Sequence, residues 1–179
     1  MTNMKPLPLI FCTLIALATI SIPISHSRVT KLDNTNLIEE TCKQTPHHDL
    51  CIKYLLADPR SSDADTTGLA LIMVNVIKAK ANSALQKIHE LLREGGDQKK
   101  ALSSCGDRYR AVLEADVPQA IAALQKGDPK FAEDGANDAA VEATSCENTF
   151  SGKSSPLTHH NNAMRDAAAT TAAIVRLLL

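Results

Sequence analysis

The 179-residue chain is 44% hydrophobic but only 3% aromatic, with no Trp and 19 Lys and Arg against 20 Asp and Glu. That balance leaves no basic stripe for nucleic acid and no charged tail, while 7 Gly and 8 Pro are too few for a fibrous or disordered chain. Few aromatic and β-branched residues disfavour sheets, and abundant Ala and Leu favour an all-α domain.

Residues 1–27 read as a secretory signal peptide. Lys5 precedes an uncharged stretch, 6–25, whose apolar centre is 9–22, and Ser25 and Ser27 stand three and one residues before Arg28. A membrane anchor is the competing reading, because the stretch approaches spanning length. Pro6, Pro8 and Pro23 weaken that reading, and no second segment is expected to span. Cleavage removes Cys12 and leaves Cys42, Cys51, Cys105 and Cys146. An even count in a secreted chain points to two disulfides, with three pairings open. A zinc site normally needs closely spaced pairs such as C-x₂-C, which are absent.

The mature part, 28–179, divides into a helical extension, 28–60, and a bundle, 61–179. Asn36 with Glu39 resembles a capping box for a short helix ending near residue 44. Asp49 is placed to cap a second short helix, 50–57, which Pro59 ends. Cys42 and Cys51 thus lie on the two arms of a tight hairpin, where pairing is geometrically easy and contributes about 2.7 kcal/mol in the chain-entropy model. Asp65 or Thr66 opens a long helix whose apolar face carries Leu69, Ile72, Met73, Val76, Ile77, Ala84, Leu85, Ile88, Leu91 and Leu92, up to Gly95-Gly96.

Asp97 is the expected cap of the next helix, with Leu102, Cys105, Tyr109, Val112 and Leu113 inward. Ala120, Ile121 and Leu124 continue that stripe beyond Pro118, so a kink is expected there, with two separate helices as the alternative. A third helix is expected over 134–150, with Ala139, Ala143, Cys146 and Phe150 inward. A bond from Cys105 to Cys146 would tie it to its predecessor and contribute about 3.9 kcal/mol. After a loop, 151–156, a last helix over 158–178 carries Met164, Ala168, Thr171, Val175 and Leu178 on its seam. Four long helices with short connections give an up-down-up-down bundle.

No G-x-S-x-G, H-E-x-x-H or phosphate loop is present, and no cofactor is expected. His47-His48 and His159-His160 read as solvated caps and turns, poor chelators because adjacent helical residues face apart. Their protonation near mildly acidic pH is their notable property. The segment 127–135, Gly-Asp-Pro-Lys-Phe-Ala-Glu-Asp-Gly, departs from the pattern. Pro129 fixes its own φ and restricts Asp128, which presents Lys130 beside an aromatic ring in a polar connection. Phe131 has two readings: an exposed anchor for a partner, or a staple folded over the bundle end.

With these residues in view, the chain resembles the plant invertase and pectin methylesterase inhibitor family. The resemblance rests on the four-cysteine spacing and runs from Leu37-Ile38-Glu39-Glu40-Thr41-Cys42 to Ile174-Val175-Arg176-Leu177-Leu178. Leu69-Ala70-Leu71-Ile72-Met73-Val74 and the 127–135 segment look like the invertase-inhibitor branch. The resemblance implies a four-helix bundle with an N-terminal hairpin, the pairings Cys42–Cys51 and Cys105–Cys146, and a non-enzymatic protein. It implies one partner, a plant acid invertase bound 1:1 in the cell wall or vacuole, with pectin methylesterase as the alternative. Carried over, Asp128 and Pro129 hold the shape of a loop that enters the sucrose cleft. Lys130 faces the cleft carboxylates, and Phe131 packs at the rim. A carrier of small apolar ligands is a reading from another class, disfavoured by the alanine-rich seams.

Overall fold

The computed structural model describes residues 26–150 and 154–179, with side chains described from residue 34. The expected signal segment therefore lies almost wholly outside the described residues. The described part is helical, and no strand occurs in it. Helix α1 (His26–Cys42) and α2 (His48–Ala57) form the hairpin, followed by a 3₁₀ turn, Pro59–Asp63. The bundle comprises α3 (Thr66–Glu94), the consecutive α4 (Lys99–Ala111) and α5 (Val117–Lys126), then α6 (Pro129–Asn148) and α7 (Thr158–Arg176).

Several helix starts differ from expectation, each for a local reason. Asn36 lies inside α1, so it caps nothing; it is Asn34 that ties this helix down, donating from Nδ2 to the carbonyls of Ser61 and Ala64. Asp49 falls in the first turn of α2 beside the His48 ring rather than at the cap, which is His47. Gln98, not Asp97, occupies the cap position of α4. Asp65 does cap α3, where its Oδ1 accepts from Gly68 N at 2.8 Å.

The chain stays helical through Pro118 instead of ending there. Between α4 and α5 the residues Val112–Asp116 form a π turn, and Val117 N–H donates to Val112 O, five residues back. Pro118 has no N–H, and its ring crowds the carbonyl four residues earlier, so the ladder widens by one residue rather than ending.

Helix α3 is long and apolar enough to meet the length and composition test for a membrane span, contrary to the expectation from sequence. Its apolar side is nevertheless core: Leu69, Ile72, Met73, Ile77, Ala84 and Ile88 are all buried. Ala132, Ala136, Ala139 and Ala143 of α6 and Ala167, Ala168 and Ala172 of α7 are buried as well, so these two helices pack through small side chains. Gly135 permits a still closer approach, because a Cβ there would sit 2.7 Å from the Asp116 carbonyl oxygen of the π turn.

Both disulfides are formed, Cys42–Cys51 across the hairpin and Cys105–Cys146 between α4 and α6. One polar cluster, running from the core to the surface, was not foreseen. Tyr109 Oη donates to Asn161 Oδ1 at 2.7 Å, Asn161 Nδ2 donates to Glu147 Oε2, and Thr158 Oγ1 donates to Glu147 Oε1 at 2.6 Å. Asn161, which follows the histidine pair read from sequence as solvated, is fully buried. Burial alone would push the Glu147 carboxyl up, but hydrogen bonds from Thr158, Asn161 and Ser155, with the nearby Arg165, outweigh it and hold it below the usual carboxylate range.

Candidate functional site

The α5–α6 junction is shorter and stiffer than the sequence suggested. Gly127 takes the left-handed conformation, φ 75° and ψ 31°, which glycine adopts without a Cβ penalty. Gly127 N donates to Leu124 O, and Asp128 N donates to Ala123 O at 2.9 Å, closing the end of α5 in a Schellman arrangement. The next helix begins at once. Pro129 sits at its first position, where a missing N–H costs nothing and the fixed φ already suits a helix.

The expected loop is therefore a correction: Pro129, Lys130 and Phe131 form the first turn of α6, which starts five residues earlier than predicted. Asp128 stands at the cap position, yet its side chain makes no capping hydrogen bond, so only its backbone shapes the turn. The Phe131 ring is 54% exposed, which rules out the staple. Gln119 of α5 donates from Nε2 to Phe131 O at 3.4 Å and links the turn to the preceding helix.

Lys130 is exposed but not unpaired. Its Nζ lies 2.9 Å from Glu133 Oε2 and 3.3 Å from Asp134 Oδ1, both within α6. These partners raise the lysine pKa from its usual value, the Glu133 hydrogen bond most of all. Glu133 is in turn held below the usual carboxylate range by Lys130 first and by Arg176, whose Nε donates to Glu133 Oε1 at 2.7 Å. Sequence reasoning missed both supports. Glu133 and Asp134 were legible as residues three and four positions along a helix, had the helix been started correctly. Arg176, the last residue of α7, carried no local signal.

The four conspicuous histidines do not join this turn. His47 lies 3.5 Å from Asp166, in the middle of α7. His48 faces Asp49 and Glu39 within the hairpin, and its hydrogen bond to Asp49, above all, raises its pKa. His159 and His160 begin α7, about 24 Å by helical rise from Arg176 at its far end. Burial, then His159, Lys87 and Lys80, lower the His160 pKa. Among the described residues no group of three His, Cys, Asp or Glu side chains is arranged to hold a metal ion.

The family model for plant invertase/pectin methylesterase inhibitors matches residues 36–175, which spans both disulfides and the α5–α6 junction. The chain belongs to this family. Within it, the chain is 48% identical over 139 residues to the cell wall/vacuolar inhibitor of fructosidase 1 of Arabidopsis thaliana, covering 78% of this chain and 67% of that protein. It is 38% identical over 109 residues to the cell wall/vacuolar inhibitor of fructosidase 2 of the same plant, covering 58% of this chain and 59% of that one. The fold is similar to a mutant form of a pectin methylesterase inhibitor from Arabidopsis, with a TM-score of 0.67 and 21% identity over 77% of this chain and 94% of that structure. At that identity the likeness speaks for the family's bundle alone.

Proposed function

We propose that this chain is a secreted protein inhibitor of plant acid invertase, without catalytic activity of its own, that binds its target 1:1 through the first turn of α6. The observation that carries the reading is the placement of Lys130 and Phe131. A cation in the first turn of a helix opposes the macrodipole, and a lysine preceding its carboxylates is the weaker order for such pairs. A large ring left 54% exposed adds nothing to the core. Both choices work against local stability, and rule-breaking of this kind concentrates at functional sites. The turn is also pre-ordered by Gly127 and Pro129, so little entropy is lost when it docks.

In this reading Lys130 makes charge-assisted hydrogen bonds to the carboxylates of a glycosidase cleft and Phe131 packs against its rim, so sucrose cannot enter. The similarity to inhibitors of fructosidase supports this target and a cell-wall or vacuolar location. In the same reading residues 1–27 are removed on the way and 28–179 form the active domain. The test is inhibition of an acid invertase and, in parallel, of a pectin methylesterase by the purified, oxidised protein. Inhibition of the invertase alone is the expected result; inhibition of the esterase alone would move the proposal to the other branch.

A further inference from the structure

Glu133 is a carboxylate in an unusual place. Its side chain is only 10% exposed, it lies three residues after an exposed lysine, and it receives cations from two different helices. The two oxygens are divided between them: Oε2 accepts from Lys130 of α6 and Oε1 from Arg176 of α7. A glutamate bound only to a neighbour on its own helix swings with that neighbour. Here α7 holds the carboxylate from the opposite side, and the lysine is referenced to the bundle as a whole.

We propose that Glu133, held in place by Arg176, is the positioning residue that aims Lys130 at the target. The inference rests on the reading of Lys130 as the inhibitory contact. A lysine ammonium has three donors on a flexible four-carbon stem. Glu133 at 2.9 Å and Asp134 at 3.3 Å engage two directions, which leaves the third for a carboxylate of the partner. Glu133 is the firmer of the two partners, because it is only 10% exposed and anchored by Arg176, whereas Asp134 is 43% exposed. Tethering the stem before docking removes rotamer freedom that binding would otherwise have to remove. Arg176 keeps Glu133 charged and in one orientation, so a residue at the end of α7 acts on a contact made by α6.

The experiment is a pair of mutant cycles read by invertase inhibition and by melting temperature. Glu133→Gln should weaken inhibition about 10-fold and Arg176→Gln about 3-fold, through faster dissociation rather than slower association. In a Lys130→Ala background neither change should weaken inhibition further, while any loss of melting temperature should persist. Arg176→Lys should recover part of the Arg176→Gln loss. Equal effects with and without Lys130 would make the clamp merely structural and overturn the proposal. Tighter inhibition by Glu133→Gln would also overturn it, since Glu133 would then be competing with the target for Lys130. If Lys130→Ala alone leaves inhibition intact, the reading of the turn as the binding site fails together with its brace. If Lys130→Ala abolishes inhibition and Glu133→Gln does not change it, only the brace fails.

Discussion

The two ends of α6 solve the same problem in opposite ways. Each places a carboxylate against α7: Glu133 near the start, Glu147 near the finish. Glu147 is satisfied by neutral donors, Asn161 and Thr158, in a cluster that continues to the fully buried Tyr109 hydroxyl. Glu133 is satisfied by two cations, and one of them, Lys130, has a side chain 60% exposed. The first arrangement pairs the protein's polar groups with one another, from the exposed Thr158 to the buried Tyr109, and joins α4, α6 and α7. The second ends at the surface with an ammonium still able to donate. A carboxylate can serve cohesion or recognition; what decides is whether its partners have donors left over.

Breaking the exposed end should have the largest effect, and on binding alone. Lys130→Ala is expected to weaken invertase inhibition on the order of 100-fold or more, the scale for removing one member of a charge pair desolvated in a complex. The melting temperature should move by no more than about 2 °C, since exposed ion pairs contribute little. Inhibition constants and a melting curve for the same preparation check both halves.

Breaking the buried end should do the reverse. Asn161→Ala leaves the buried Tyr109 hydroxyl and one part-buried Glu147 oxygen without their partner. The cost is on the order of 3 kcal/mol of stability, read from denaturant unfolding. Inhibition per folded molecule should be unchanged, and a parallel loss of inhibition would mean that the two ends communicate.

Phe131→Ala is the next smaller test. The ring is exposed, so its loss should barely alter stability, while inhibition weakens by roughly 1–3 kcal/mol if the ring is an anchor. A large fall in melting temperature would return the ring to a structural role.

The smallest effect concerns the π turn that Gly135 packs against. Burial, and then Asp138 and Glu142, raise the Asp116 carboxyl from 3.8 to about 6. The folded protein then keeps this proton where the unfolded chain has lost it. Its contribution to stability is present below about pH 4, declines as pH rises through about 6, and is flat above that. Asp116→Asn should flatten that decline and stabilise the protein at pH 7 by on the order of 1–2 kcal/mol. Urea midpoints at pH 4.5 and 7 measure it.

Much of the bundle was legible because its cause is local. The period of apolar residues over 66–94 can bury only one face, and Gly127 can end α5 without a Cβ penalty. Cys42 and Cys51 lie on the two arms of a short hairpin, while the Cys105–Cys146 bond, 41 residues apart, was implied by the family resemblance. The site was legible in part: Asp128, Pro129, Lys130 and Phe131 were singled out as residues, but as a loop. Pro129 was read as stiffening a connection when, at a first helical position, it starts a helix.

Composition and periodicity thus determined the helical class, the four long rods and the outlying Lys130-Phe131 pair, because each follows from short-range chemistry along the chain; the count of four mature cysteines pointed to two disulfides, and the family resemblance implied their pairing. Tertiary packing decided that the polar Asn161 is core, that Asn34 holds the hairpin to the bundle, and that Arg176 reaches Glu133 across 43 residues. Those three depend on which helices lie side by side, and a side chain's partner on another helix has no signature in its own neighbourhood.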